Sequence, residues 1–206
     1  MYINDSEERP LILASSSPRR RSLLEQLGIQ FEVIPADVPE TIREGAPPAK
    51  EAQRIAEDKA VAVLGMRPQN RWILAADTIV IIDGAVLGKP RHEEEAAAML
   101  ARLAGRWHKV ITGWCILHGA SGVKRSGSVE SAVLIKLLDS AHIRAYMKSG
   151  EPMDKAGAYA AQGIGAFMIE RIEGSYTNVV GLPLAEVVEA LEELGAIRLS
   201  SHGKDR

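Results

Sequence analysis

Residues 72–82 read WILAADTIVII, an apolar and β-branched stretch broken only by Asp77 and Thr78. It falls well short of the roughly 20 apolar residues that a membrane-spanning helix needs. Followed by Asp83-Gly84 and then AVLG, it reads instead as a buried strand, a tight turn and a return strand closed by Pro90. A strand of this kind has to sit inside a sheet. Asp77 is therefore its most informative residue, because an ionised carboxylate is rarely buried without a partner, and a metal ion or cationic group is the usual remedy. A carboxylate that merely caps a strand bend is the plain alternative. Thr78, a second polar group beside it, favours a cleft.

The rest of the chain supplies layers for such a sheet. LILA at 11–14 reads as a short strand, and a helix is expected from about Pro18 to Leu27 with Gly28 as its left-handed stop. FEVIPADVPE reads as a strand that runs into an exposed loop at Glu40, and a second helix follows from about Pro48 to Leu64. HEEEAAAMLARLAG has helical period, HKVITGWCILHG and SVESAVLIKLL read as strands, a helix is expected near 140–148, and AFMIERI reads as a strand before a last helix after Pro183. Strands and helices in this order, with two hairpins, predict an α/β chain with a mixed sheet. One domain is expected at 11–199, with an N-terminal extension at 1–10 and a frayed tail at 200–206.

With 206 residues, 46% of them hydrophobic, the chain can bury one substantial core, and its formal charge of -2 gives no surplus of cations for general nucleic-acid or membrane binding. Any anion site has to be local. The single cysteine, Cys115, allows no internal disulfide, and the polar, acidic start MYINDSEERP lacks the layout of a signal peptide, so a cytoplasmic protein is expected. The histidines are scattered without a zinc-ligand spacing, and neither a G-x-S-x-G elbow nor a G-x-x-x-x-G-K-[ST] phosphate loop is present.

Cations nonetheless concentrate at element ends. In SSSPRRR, Ser17 is a natural N-cap and Pro18 suits the first helical position, yet Arg19, Arg20 and Arg21 crowd the positive end of the helix dipole. A bound anion would reverse that penalty; a capped helix with solvated arginines is the plainer reading. Lys59 falls on the apolar stripe of the second helix with Ile55 and Val63, where it has to snorkel or meet an anion. Lys89 ends the hairpin, and Asp154, Lys155 and Gln162 lie among small residues in DKAGAYAAQG. Several fixed cations with the carboxylates Glu40, Asp77 and Asp154 are the means of holding a polyphosphate with its divalent metal.

LASSSPRR, AADTIVIIDGAVLGKP, DKAGAYAAQG and GSYTNVVGLP, in this order, resemble the Maf family of septum-formation proteins, which are nucleoside triphosphate pyrophosphatases. The resemblance runs from about Leu11 to Leu194. It implies an elongated, two-lobed α/β fold of the Maf/ITPase-like kind with a mixed sheet and a central cleft, usually as a homodimer. Carried over by position, Ser15, Ser17, Arg20, Lys59, Lys89 and Lys155 match triphosphate-binding positions, and Glu40 and Asp77 match the acidic pair for a divalent metal, Mg²⁺ or Mn²⁺, and water. Lys59 and Lys89 join that pair as the expected catalytic group. Arg19, Thr78 and Gln162 match positions at which the dTTP and UTP type differs from members acting on 7-methyl-GTP. Ala160 and Ala161 depart from the Gly and Ile frequent in relatives, which bears on the fit around the base. A non-catalytic nucleotide-binding regulator of cell division and a 7-methyl-GTP pyrophosphatase are the alternative functions, and modified pyrimidine nucleotides are open as substrates beside dTTP and UTP.

Overall fold

A computed structural model describes residues 2–4, 11–66 and 70–200. Most of the expected N-terminal extension and nearly all of the expected tail lie outside the described residues. In chain order the strands are β1 (Tyr2–Asn4), β2 (Leu11–Leu13), β3 (Phe31–Val33), β4 (Trp72–Ile82), β5 (Ala85–Leu87), β6 (Trp107–His118), β7 (Lys124–Ile135), β8 (Ile169–Glu173) and β9 (Ile197–Leu199). The helices are α1 (Pro18–Gln26), α2 (Pro48–Met66), α3 (Glu93–Leu103), α4 (Ser140–Met147), α5 (Tyr176–Val180) and α6 (Leu184–Glu193), with short 3-10 turns at Glu151–Asp154, Ala156–Ala158 and Ile164–Met168.

Among the described residues the main sheet has the order β3-β2-β4-β6-β7-β8, with β5 paired to β4. It is mixed: β3, β2 and β4 are parallel, whereas β4, β6, β7 and β8 are antiparallel neighbours. The expected α/β class with a mixed sheet is therefore the observed one. The apolar run at 72–82 is central as expected, and Asp83 and Gly84 both take positive φ in the turn that returns it to β5.

Alternation along β4 divides the core. Ile73, Ala75, Ile79 and Ile81 face α2, and Leu74, Ala76, Val80 and Ile82 face the larger cluster of α1, α3 and α6. Asp77 shares the α2 side and Thr78 the opposite one. Helix α2 buries Ala52, Ile55, Ala56, Ala60 and Val63 against the sheet, at a point where β6 contributes Gly113. Cys115 is buried in the same layer, and burial pushes its thiol up to about 12, leaving it a core residue.

Several expected boundaries moved for physical reasons. The strand FEV ends at Val33 because β2, its neighbour, ends at Leu13. Strand β7 begins at Lys124, earlier than the apolar alternation suggests, because the Gly122 turn brings polar residues straight into register with β6. The strand expected from Ala166 begins only at Ile169, because residues 164–168 form a 3-10 turn after Gly163 takes φ 111°. Helix α5, capped by the Ser175 hydroxyl accepting from the Asn178 amide, and the antiparallel pair β1-β9 had no counterpart in the sequence reading.

Candidate active site

Strand β2 pairs with β4 only as far as Leu74, and β5 joins the same edge only from Val80. Among the described residues the edge between them has no neighbouring strand on that side, and Asp77 and Thr78 lie in the notch. A cavity of about 260 Å³ fills it. Its walls are the β2-α1 turn, the loop 34–47, α2, residues 154–161 and the end of α5. Ser15, Ser17, Arg19, Arg20, Glu40, Lys59, Asp77, Thr78, Lys89 and Lys155 all line it. Gln162 does not; it follows Ala161, which does. Arg21 also lies elsewhere, because one further step around α1 turns it outward to pair with Glu25 at 2.8 Å.

Lys59 explains its place on an apolar stripe by what it meets. Its Nζ donates to Glu40 Oε1 at 2.6 Å and Asp77 Oδ1 at 2.7 Å, with the side chains of Lys59 and Asp77 each 8% exposed. Lys89 Nζ donates to the other Glu40 oxygen at 2.8 Å. Two ammonium groups and two carboxylates balance, and the buried pair among them, Lys59 and Asp77, is thereby kept neutral as a unit. Burial tends to raise the Glu40 pKa, but the hydrogen bonds from Lys59 and Lys89 outweigh it and hold the carboxyl at about 2. Glu40 is thus an anion at any physiological pH.

The other face of the notch is organised by Arg20. Its Nε donates to the Gly181 carbonyl at 2.7 Å, Nη1 to Ser15 Oγ at 3.1 Å and Nη2 to Thr78 Oγ1 at 3.0 Å. Burial lowers its pKa and the nearby Asp77 opposes that shift. Thr78 Oγ1 is also 2.9 Å from Thr112 Oγ1, which donates to the Asn178 carbonyl. Asn178, fully buried, reaches the Val110 carbonyl and Ser131 Oγ, and so fastens α5 to β6 and β7. Gly181 and Asn178 received no role in the sequence reading, although GSYTNVVGLP contains both; their partners are too distant along the chain to be read locally.

Behind the third wall, between the lining residues Ala156 and Tyr159, Gly157 and Ala158 both take positive φ, 68° and 61°, a conformation that costs energy for alanine. The fold around them brings Lys155 and Tyr159 to the same cavity. Lys155 pairs with Asp154, and the Tyr159 hydroxyl lies 2.7 Å from His108 Nε2. Ala160 and Ala161 complete this wall. Arg19 is more buried than a solvated arginine; burial lowers its pKa, and Asp154 and Glu151 oppose the shift.

Five cationic side chains and three carboxylates line the cavity, an excess of two positive charges. A triphosphate carrying one divalent cation brings about two negative charges to such a site. The helix α1 N-terminus, with Ser17 Oγ accepting from the Arg20 amide, adds its own positive dipole. Glu40 and Asp77 offer hard carboxylate oxygens on either side of one ammonium group. Among the described residues no group of three or more His, Cys, Asp or Glu side chains could hold a metal ion by itself. One or two carboxylates of this kind, completed by phosphate oxygens and water, are the usual ligands of Mg²⁺.

The sequence matches the model of the Maf-like protein family over residues 10–194. The chain belongs to that family. Curated relatives of this Maf-like chain include a dTTP/UTP pyrophosphatase from Syntrophus aciditrophicus, 48% identical over 95% of both chains. Another from Syntrophotalea carbinolica is 50% identical over 92% of this chain and 86% of that one. A third, from Geobacter sulfurreducens, is 48% identical over 93% of this chain and all of its own. Among solved structures the Staphylococcus aureus Ham1 protein aligns with 78% of this chain and 80% of that one, at 15% identity and a TM-score of 0.46, a likeness too loose to bear on chemistry. No helix among the described residues is long and apolar enough to cross a membrane.

Proposed function

We propose that this Maf-like chain is a metal-dependent nucleoside triphosphate pyrophosphatase that converts dTTP and UTP to the monophosphate and pyrophosphate. The observation that carries this reading is the convergence of Arg20, Lys59, Lys89 and Lys155 with Glu40 and Asp77 on one cavity beside a helix N-terminus. The substrate class follows from the relatives, which are named dTTP/UTP pyrophosphatases.

The chemical task is to bring water onto a phosphorus surrounded by negative oxygens. Lys59 and Lys89, released in part from Glu40 as the substrate enters, donate to phosphate oxygens, with Arg20, Lys155 and the α1 N-terminus completing the cradle. Ser15 and Ser17 supply hydroxyls at the same end. Glu40 and Asp77 are the residues that would hold Mg²⁺ or Mn²⁺, which supplies Lewis acidity and neutralises charge when bound. The carboxylate oxygen left over orients the water and accepts its proton. A bond forms from water oxygen to the α-phosphorus as the bond to the bridging oxygen breaks, and pyrophosphate leaves with its charge already compensated. No covalent enzyme intermediate is required. Arg19, Thr78 and Gln162 are assigned to base selection, the last through the loop that continues from Ala161. The working unit is taken as a homodimer of the 22.3 kDa chain in the cytoplasm, where the buried thiol of Cys115 would stay reduced.

The test is turnover of dTTP, UTP and 7-methyl-GTP with Mg²⁺ and with a chelator. Equal release of monophosphate and pyrophosphate from the pyrimidine substrates, abolished by the chelator, is expected. Binding without turnover would favour the regulator, and preference for 7-methyl-GTP would overturn the substrate assignment. Light scattering at twice the chain mass checks the dimer.

A further inference from the structure

Glu40 enters the cavity on a loop, residues 34–47, that contains no helix or strand of its own. What holds it is a carboxylate outside the cavity. Glu51, in the first turn of α2, is fully buried, which for a carboxylate requires partners. Its Oε1 accepts from Arg43 Nε at 2.8 Å and Nη2 at 2.6 Å, and its Oε2 from the Arg43 backbone amide at 3.0 Å. Arg54 Nη2 donates both to Glu51 Oε2 at 2.9 Å and to the Thr41 carbonyl at 2.8 Å. Between these two attachments Ile42 packs on the cluster of Ala52, Ile79 and Ile81. Every one of the three residues after Glu40 is thus tied to α2 or the sheet beneath it. Lys59, which grips Glu40 itself, lies on the same face of the same helix, about 12 Å further along at the usual rise.

We propose that Glu51 is a positioning residue: through Arg43 and Arg54 it fixes residues 41–43 against α2 and so holds Glu40 at its place between Lys59 and Lys89. The proposal rests on the pyrophosphatase reading of the cavity for its catalytic consequence, but not for its structural one. A Glu40 anchored only by its own two lysines would follow them when they turn to phosphate oxygens. Anchored from behind, it stays where the water and the metal are needed.

The experiment compares Glu51→Gln and Arg43→Gln with the wild-type protein in dTTP turnover with Mg²⁺, in thermal unfolding, and in amide hydrogen exchange of residues 40–46. Arg43 has a side chain 66% exposed, so its variant keeps the fold even if Glu51→Gln does not. Expected are a fall in kcat of about 100-fold for Glu51→Gln and about tenfold for Arg43→Gln, with KM for dTTP changed less than about threefold. Exchange at 40–46 should accelerate in both while that of β4 stays at the wild-type rate. Wild-type kcat or wild-type exchange of 40–46 in Arg43→Gln would overturn the proposal, as would acceleration spread evenly over the whole chain. A wild-type protein that makes no pyrophosphate would sink the functional reading alone, since exchange at 40–46 still decides whether Glu51 fixes the loop.

Discussion

Gly113 lies in β6 directly opposite Asp77, and α2 crosses the sheet there. An alanine methyl at this position would stand 2.2 Å from the Ala52 carbonyl carbon and 2.3 Å from both the Ala52 oxygen and the Gln53 nitrogen. Contacts of this kind relax to about 3.5 Å or more, and the offending atoms are backbone, so no side chain can swing aside. The helix itself has to retreat by about 1 Å. Lys59 lies less than two turns beyond Gln53, about 9 Å at the usual rise, and its 2.6 and 2.7 Å bonds to Glu40 and Asp77 would stretch by a similar amount. Overpacking of this type costs about 1–3 kcal/mol, and a chain of this size loses about 2–4 °C of Tm per kcal/mol. Gly113→Ala should therefore lower Tm by about 2–12 °C. A displacement of about 1 Å at the reacting groups costs about 100-fold in rate. The assay pairs scanning calorimetry with pyrophosphate release from dTTP, using Gly65→Ala as the control: there a methyl meets nothing within 4 Å, and the helix should gain about 0.5–1 kcal/mol. A Gly113→Ala protein with wild-type Tm and kcat/KM would refute the claim that this close approach positions Lys59.

Asp77→Asn should abolish pyrophosphate release, by about 1000-fold or more, while circular dichroism stays at its wild-type form because Lys59 keeps Glu40 as a partner; full turnover in the variant would remove Asp77 from the mechanism. Arg19→Ala should change the ranking of dTTP, UTP and 7-methyl-GTP in a substrate panel with hydrolysis retained, and an unmoved ranking would refute its role in base selection. His108, only 3% exposed, has its pKa depressed to about 4 by burial. Since the folded value lies below the unfolded one of about 6.5, the neutral ring stabilises the fold above that pH, and about 2 kcal/mol is lost as pH falls from 7 to 5. His108→Gln should flatten the unfolding free energy against pH over that window, and an unchanged slope in urea titrations would count against the assignment.

The parts of the site visible in the sequence were those that violate a local rule. Asp77 interrupts an apolar strand, Lys59 interrupts an apolar helical stripe, and arginines crowd the wrong end of a helix; each anomaly is apparent within a few residues of chain. Arg21 shares the local signal but not the place, since a helix turns by about 100° per residue and only Arg19 and Arg20 line the cavity. Gln162 is similarly adjacent to the cavity wall without lining it. Gly113 left a trace that could have been used, an isolated glycine inside a strand, which often marks close backbone approach.

Local pattern alone fixed the apolar strand 72–82, the turn at Asp83-Gly84, the capped start of α1 and the α/β class, because propensity, capping and periodicity act over one or two turns of chain. Tertiary structure decided the notch between β2 and β5, the pairing of β1 with β9, the anchoring of α5 by Asn178 and the hold of Glu51 on the loop of Glu40. Each of these depends on which distant segments pack together, and charges buried by that packing find partners that no neighbouring residue announces.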